Sequence, residues 1–327
     1  MIPFAKPQIG LEERQAVIHA LDEDRLTEGP LAKQFEDDWQ AMFGGYALTV
    51  TSCTAALYLA MLWYKRQLDG AQISMPAMTH VATAHAATAF GLTIRFLDCD
   101  ENGRTDSPIC AVSFLGAPAK GLIQDFACGV GLKAERVACY SFYPAKHMTT
   151  GEGGMIVTND PKIASFFERA RAFGKVMKDG KFDVISHGLN FRMSEINAAI
   201  GIEQLKKLPK WLETRKANWN ALSEELPKDL RILDTSGGAY YALCAYVPDG
   251  VDRDEYRAKL LKAGVETSVY YPVPVPHLSY YKEAYGHRLG DFPNAEKISA
   301  RSLCFPVGPH IGQNELEQIV TAAKGAL

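Results

Sequence analysis

A single lysine, Lys146, sits in a short polar loop between two apolar runs, residues 137–142 and 155–158. Pro144 turns the chain into this loop, and a glycine cluster at Gly151, Gly153 and Gly154 leads out of it. If both runs are buried strands the lysine is desolvated, which lowers its proton affinity and makes its amine a nucleophile of the kind that forms Schiff bases. A solvated surface lysine is the plainer reading of that residue alone. Asp125 lies 21 residues earlier and follows directly on Leu122-Ile123-Gln124. It places a carboxylate at the C-terminal end of an expected strand, where open α/β sheets bind ligands, although an aspartate capping the next turn has the same local sequence. A third group is Thr51-Ser52-Cys53-Thr54, between an expected strand at 46–50 and a helical run at 55–65. Small hydroxyl residues at such a junction present free backbone N–H groups and the positive end of a helix dipole to one point, an anion site. Ser52 or Thr54 acting only as an N-cap is the simpler alternative.

The elements that must position these groups follow from hydrophobic periodicity. Residues 11–23 and 31–43 read as helices joined by a loop containing Gly29-Pro30. A brief strand around Ile73, an alanine-rich helix over 76–90 and a strand over 93–97 come next, then strands at 109–114 and 121–124. Only residues 115–120 separate the last two, too few for the crossover helix that parallel neighbours normally need. A helix over 161–171 precedes a polar, lysine-rich stretch, 173–187, which reads as a loop. Two helices are expected over 196–205 and 209–225, then a strand at 240–247, a helix at 252–263, a strand at 267–271 and helices at 292–302 and 313–325. The composition changes near residue 208. The expectation is an α/β protein with an N-terminal arm and large domain over 1–208 and a smaller α/β domain over 209–327.

Composition narrows the classes of function. The 327 residues are 47% apolar and 22% charged, with a formal charge of −3, enough for a large core and without a basic run to bind nucleic acid or an anionic membrane. Seven cysteines, an odd number with no C-x-x-C pair, indicate neither a disulfide framework nor a zinc site and point to a reducing compartment. No apolar segment is long enough to span a bilayer and the start lacks a leader pattern, so a cytoplasmic protein is expected. His80 and His85 are five apart, on different faces of a helix, with no third ligand nearby, so no metal site is expected.

A phosphate cradle, an acid that keeps a pyridine nitrogen protonated and a lysine are the three elements that pyridoxal phosphate requires. At this point the sequence resembles the DegT-type sugar aminotransferases, fold-type-I pyridoxal phosphate enzymes that act on nucleotide-linked keto sugars. The resemblance rests on Leu26-Thr27-Glu28-Gly29-Pro30, Ser52-Cys53-Thr54-Ala55-Ala56-Leu57, the block from Ser141 to Gly154, Asn190-Phe191-Arg192-Met193-Ser194-Glu195 and Tyr270-Tyr271-Pro272 through His277. It implies that Lys146 carries the cofactor, that Asp125 pairs with the pyridinium nitrogen, and that Ser52, the Cys53 backbone, Thr54 and Ser141 hold the phosphate. It also implies that His80 stacks on the ring, and that Asn190 and Arg192 cross a homodimer interface to the partner's phosphate, so that active sites are shared. Thr27, Tyr143, Tyr270 and His277 are candidates for the sugar cleft. The implied reaction moves an amino group from L-glutamate, by way of pyridoxamine phosphate, to a 3- or 4-keto-(6-deoxy)hexose linked to a nucleotide, giving an amino sugar for glycan or polysaccharide synthesis.

The departures from the family pattern are specific. Cys53 stands where many members have glycine, and Cys128 where a histidine or glutamine commonly contacts the cofactor's phenolic oxygen. The chain also lacks a helix before the Asp125 strand, which would expose apolar surface unless something covers it. Two other functions share the scaffold. A pyridoxamine-dependent dehydratase would have histidine in place of Lys146. A non-catalytic regulator or sugar-binding protein would have little reason to keep Lys146, Asp125, Thr54 and Ser141 together.

Overall fold

The computed structural model describes residues 1–67 and 72–327. Helices α1 (Leu11–Asp22) and α2 (Pro30–Phe43) precede β1 (Tyr46–Val50) and α3 (Cys53–Gln67). Then come β2 (Gln72–Pro76), α4 (Val81–Thr88), β3 (Thr93–Leu97), β4 (Cys110–Val112), β5 (Ile123–Phe126), β6 (Val137–Ser141), β7 (Gly154–Thr158) and α5 (Pro161–Ala170). A hairpin of β8 (Lys175–Lys178) and β9 (Lys181–Val184) leads to the long α6 (Glu195–Glu225). The C-terminal third holds β10 (Arg231–Ile232), β11 (Leu243–Tyr246), α7 (Arg253–Lys262), α8 (Ser279–Tyr285), α9 (Pro293–Arg301), β12 (Ser302–Phe305) and α10 (Gln313–Ala326).

The sheet is organised about β5, which pairs in parallel with β4 on one side and β6 on the other. Beyond β6 the order continues antiparallel through β7 to β1. The parallel pair β2 and β3 lies beside β4, where the Ile109 amide donates to the Ser74 hydroxyl at 2.9 Å. The class is the expected α/β arrangement with a mainly parallel sheet. Strands β5, β6 and β7 are buried along their whole length, as strands covered on both faces must be. On one face Leu57, Met61 and Trp63 of α3 pack with Cys139 and Ile156. On the other, Phe35 and Trp39 of α2 and Ile202 and Leu205 of α6 pack with Tyr140 and Met155. Glu195, at the start of α6, accepts the amides of Leu31 and Ala32 at 2.8 and 2.9 Å, a carboxylate on the positive end of α2.

Several expectations are corrected. The helix expected over 76–90 starts only at Val81, because Pro76 ends β2 and the Ala77 amide extends that ladder by donating to the Leu97 carbonyl at 2.8 Å. Asp125 falls inside β5, opposite Val112 and Cys139. The loop expected over 173–187 contains the β8–β9 hairpin, turned by Asp179 and Gly180 with φ of 49° and 72°; an Asp-Gly pair is a strong hairpin signal. The strand expected at 267–271 reduces to one bridge, Ser268 with Cys304. The two helices expected around residue 208 are one helix, α6, with Pro209 inside it.

The face left by the short β4–β5 connection is covered by the connection itself. Phe114 and Leu115 fold onto it in a single 3-10 turn and join a core that includes Leu233 and Tyr241. Backbone bonds from Ala239 to Gly116 at 2.8 Å and from Tyr241 to Leu115 at 3.3 Å lock that cover in place.

A buried ion network ties α5 to β1 and α2. Arg171 Nη1 donates to Glu36 Oε1 at 2.6 Å and to the Thr49 carbonyl at 2.7 Å, and Nη2 meets Glu28 Oε1 at 2.8 Å. Arg171→Met removes the cation and leaves the buried Glu36 carboxylate without one. The expected loss of stability is about 3–5 kcal/mol, read as a fall in the urea unfolding midpoint.

Candidate active site

The C-terminal ends of β5 and β6 and the N-terminus of α3 open onto one cavity of about 350 Å³. Its wall carries Ser52, Cys53 and Thr54, Asp125, Ser141 and Lys146, with His80 at one side. The lysine loop is closed at its base by Phe142 and Gly153, whose amide and carbonyl bond at 3.0 Å, and by the Thr150 amide on the Phe142 carbonyl at 3.0 Å. Asn197 of α6 clamps the loop from outside, donating from Nδ2 to the carbonyls of Thr150 and Glu152 at 2.6 and 3.1 Å. Gly154 lets β7 approach the start of α3: a Cβ there would lie 2.5 Å from the Cys53 amide nitrogen. The bare backbone at this point keeps the helix start exposed to the cavity.

Asp125 is 3% exposed. Its Oδ2 accepts from the Thr83 hydroxyl at 2.7 Å and its Oδ1 from the Ala127 amide at 3.0 Å. No cationic side chain among the described residues forms an ion pair with it. Lys146 Nζ lies 3.2 Å from Cys128 Sγ and 4.8 Å from the centre of the Tyr241 ring. Here the sequence expectation is corrected. Burial does lower the amine's proton affinity, but Cys128, Tyr270 and Cys53 outweigh it and hold the amine above the ordinary lysine value. The free amine, the form that attacks, therefore grows as pH rises. Burial pushes the Cys53 thiol well up, and Asp125 beside it pushes the same way. His147, buried with Nε2 2.8 Å from the Ala239 carbonyl, is held far below the usual histidine range by burial and by Arg215, so it is a neutral structural residue.

The structure brings together Ser52, Cys53, Thr54, His80, Asp125, Ser141, Tyr143, Lys146 and Tyr270 in that cavity, with Cys128 just behind the lysine. Ser52 also caps α3, its hydroxyl accepting from the Ala55 amide at 3.0 Å, and His80 caps α4 through Nδ1 on the Ala82 amide at 3.2 Å. Four expected residues lie elsewhere. His277 is paired with Glu296 at 2.8 Å; Thr27 lies in the exposed loop before α2. Asn190 and Arg192 bond to each other at 3.0 Å away from the cavity. Two aromatic wall residues, Tyr241 and Tyr271, are not among the expected ones. The Tyr241 and Tyr270 hydroxyls bond at 2.8 Å, and Tyr271 packs 5.8 Å from His80. Tyr271 adjoins Tyr270 within a quoted motif, whereas nothing local marks Tyr241, which reads as the start of a buried strand.

A buried carboxylate with no cationic partner among the described residues, a lysine amine, a flat imidazole and an exposed helix start suit the pyridine nitrogen, aldehyde, ring face and phosphate of pyridoxal phosphate. The family model for the DegT/DnrJ/EryC1/StrS aminotransferase family matches residues 7–108 and 116–324. The chain belongs to that family. By that membership it is an aminotransferase. The break in the match falls at β4 and the short connection after it. Among curated proteins the chain is 27% identical to the spore coat polysaccharide biosynthesis protein SpsC of Bacillus subtilis, over 99% of this chain and 96% of that one. Its fold is similar to Helicobacter pylori PseC, an aminotransferase involved in the biosynthesis of pseudoaminic acid (TM-score 0.91, 21% identity, 99% and 98% of the two chains). It is also similar to the sugar aminotransferase CalS13 of Micromonospora echinospora (TM-score 0.90, 23% identity, 100% of both chains). No helix among the described residues is long and apolar enough to cross a membrane.

Gly154→Ala tests the helix-start cradle. The added methyl must displace the Cys53 amide, so affinity for pyridoxal phosphate is expected to fall about tenfold or more, some 1.4 kcal/mol. An absorbance titration of the apo variant, with far-ultraviolet circular dichroism to confirm the fold, measures it.

Proposed function

We propose that this aminotransferase takes its amino group from L-glutamate and installs it on the ketone of a 3- or 4-keto-(6-deoxy)hexose carried by a nucleotide, for polysaccharide or glycan synthesis. The observation that carries the catalytic reading is the buried Asp125 carboxylate, without a cationic partner among the described residues, in one cavity with Lys146. SpsC, the relative acting in spore coat polysaccharide biosynthesis, supports the sugar product.

In this reading Lys146 holds the cofactor, Asp125 accepts a hydrogen bond from its ring nitrogen, and His80 lies along the ring. Ser52, Thr54, Ser141 and the Cys53 amide hold the phosphate at the start of α3, where the dipole favours an anion. When bound, pyridoxal phosphate supplies an electron-withdrawing ring that lets an amino acid lose its Cα proton. The freed Lys146 amine then serves as the general base that takes this proton and returns it. Tyr143, Tyr270, Tyr241 and Tyr271 enclose the cavity, exclude water and present hydroxyls to the sugar. Thr27 and His277 lie away from this wall and have no part in this reading. With glutamate consumed before the keto sugar reacts, the kinetics are ping-pong.

Asn190 and Arg192 complete a second subunit's phosphate site in a homodimer. Arg192 lies over the Phe173 ring, 5.2 Å from its centre, at the foot of the β8–β9 hairpin, and the exposed Met177, Phe182, Val184 and Ile185 of that segment support the reading, because exposed apolar side chains favour an interaction surface.

Two measurements test these assignments. Wild-type protein loaded with pyridoxal phosphate is expected to show a visible band that bleaches with L-glutamate and releases 2-oxoglutarate, while Lys146→Ala does neither. A wild type that binds the cofactor and ignores every amino donor would sink the reading. Mixing the inactive Lys146→Ala and Arg192→Ala proteins is expected to restore activity, since each mixed dimer contains one intact site; no recovery after confirmed subunit exchange means that Arg192 does not act across an interface.

A further inference from the structure

Cys128 stands where the family commonly has a histidine or glutamine on the cofactor's phenolic oxygen, a contact that a thiol weakens or replaces, and in the structure its neighbour is the lysine. Among the described residues it is the one side chain within hydrogen-bond distance of Lys146 Nζ, at 3.2 Å. The thiol is 5% exposed and sits on the turn after β5. Behind it lies Arg215 of α6, a buried guanidinium with no acidic partner among the described residues. Arg215 Nη1 donates to the Tyr241 carbonyl at 3.0 Å, and its Nε is buried without a hydrogen bond. Burial pulls this guanidinium down to about 10, and Tyr241 and Cys128 are the groups that support its charge. Cys128 thus stands between two cations, Lys146 and Arg215; burial raises its thiol's proton affinity, and both cations oppose that rise.

We propose that Cys128 is a positioning residue for the reaction: its sulfur holds the Lys146 amine against the Tyr241 ring and sets the pH at which that amine becomes free to react. The proposal rests on Lys146 being the reacting amine of the reading above. Elsewhere around the lysine, Cys53 from α3 and Tyr270 from the C-terminal segment also favour its proton. His80 is kept neutral by burial, and the Asp125 oxygens are engaged by Thr83 and Ala127. The sulfur is the nearest group and the one in direct contact. Without it, burial acts on the amine with less opposition and favours the uncharged form. A hydroxyl in its place keeps a hydrogen bond but is a weaker acid, so its effect falls between those of sulfur and a methyl group.

Lysine-specific labelling of the apo protein tests this without cofactor, donor or sugar. Reductive methylation with formaldehyde and cyanoborohydride, followed residue by residue by mass spectrometry from about pH 7 to about pH 11.5, past the ordinary lysine value, reports the fraction of each amine that is free. In Cys128→Ala, the Lys146 rate relative to the exposed Lys178 is expected to rise about threefold or more near pH 7.5, with its pH midpoint moved down. Cys128→Ser should fall between the two, and it carries the comparison if the alanine variant does not fold. An unchanged rate overturns the proposal. So does an increase by the same factor at every pH, because that reports easier access and not a changed proton affinity. A failed transamination assay would leave these labelling profiles intact, and a failed labelling result would leave the glutamate-dependent bleaching intact, so the two readings fail separately.

Discussion

A carboxylate buried at the centre of a sheet is the constraint on which the rest of the site depends. Removing an ionised group from water costs several kcal/mol even after relaxation, and hydrogen bonds alone offset only part of that. Asp125 has two such bonds, from Thr83 and Ala127, and no cation in contact among the described residues. It is held there by position: β5 is flanked in parallel by β4 and β6, and its neighbours Ile123 and Phe126 are locked in two separate cores. The carboxylate cannot turn out to solvent without breaking the middle of the sheet. A protonated ring nitrogen entering the cavity would supply the missing partner, so the unfavourable placement in the empty protein becomes a favourable one with cofactor bound.

The other groups are fixed by backbone contacts that leave little freedom. The lysine loop is stitched at Phe142 and Gly153 and clamped by Asn197, so Lys146 is delivered by a rigid frame even though its side chain is long. The segment from 190 to 197 has a largely architectural part to play. The Phe191 carbonyl accepts the Thr51 amide at 2.9 Å beside the helix start, Glu195 caps α2, and Asn197 grips the loop. A motif near the chemistry in sequence terms therefore acts on it mainly through other elements, and Asn190 and Arg192 are its outward-facing members.

The C-terminal third closes the cavity with phenols. Tyr241 and Tyr270 bond to each other, and the segment before Tyr241 also seals the sheet face over the short β4–β5 connection. One stretch of chain thus does two jobs. It replaces the cover that a crossover helix would supply, and it brings an aromatic ring over Lys146 and Arg215 to the back of Cys128. The shortening of the sheet domain and the composition of the lysine's surroundings are consequently linked through residues 239–241.

Much of this was legible in the residues themselves. Helix and strand positions followed from periodicity because each apolar face had to be buried, and Lys146, Asp125 and the 51–54 junction stood out because a lysine, a carboxylate and small hydroxyl residues at strand ends have local signatures. The β8–β9 hairpin is marked by Asp179-Gly180, although the polar composition around it reads as a loop. Other features had no local signature. That α6 runs unbroken through Pro209 was decided by packing on both sides of it, that Tyr241 faces the cavity by the turn of the C-terminal segment, and that Lys146 is more basic than its burial suggests by a sulfur 18 residues away. The sequence by itself determined which chemical groups the protein possesses and the family it resembles, since those depend on residue type and order. Only the tertiary structure decided which of them touch, and with that the proton affinity of the lysine, because electrostatic and hydrogen-bond energies depend on distances that chain order does not set.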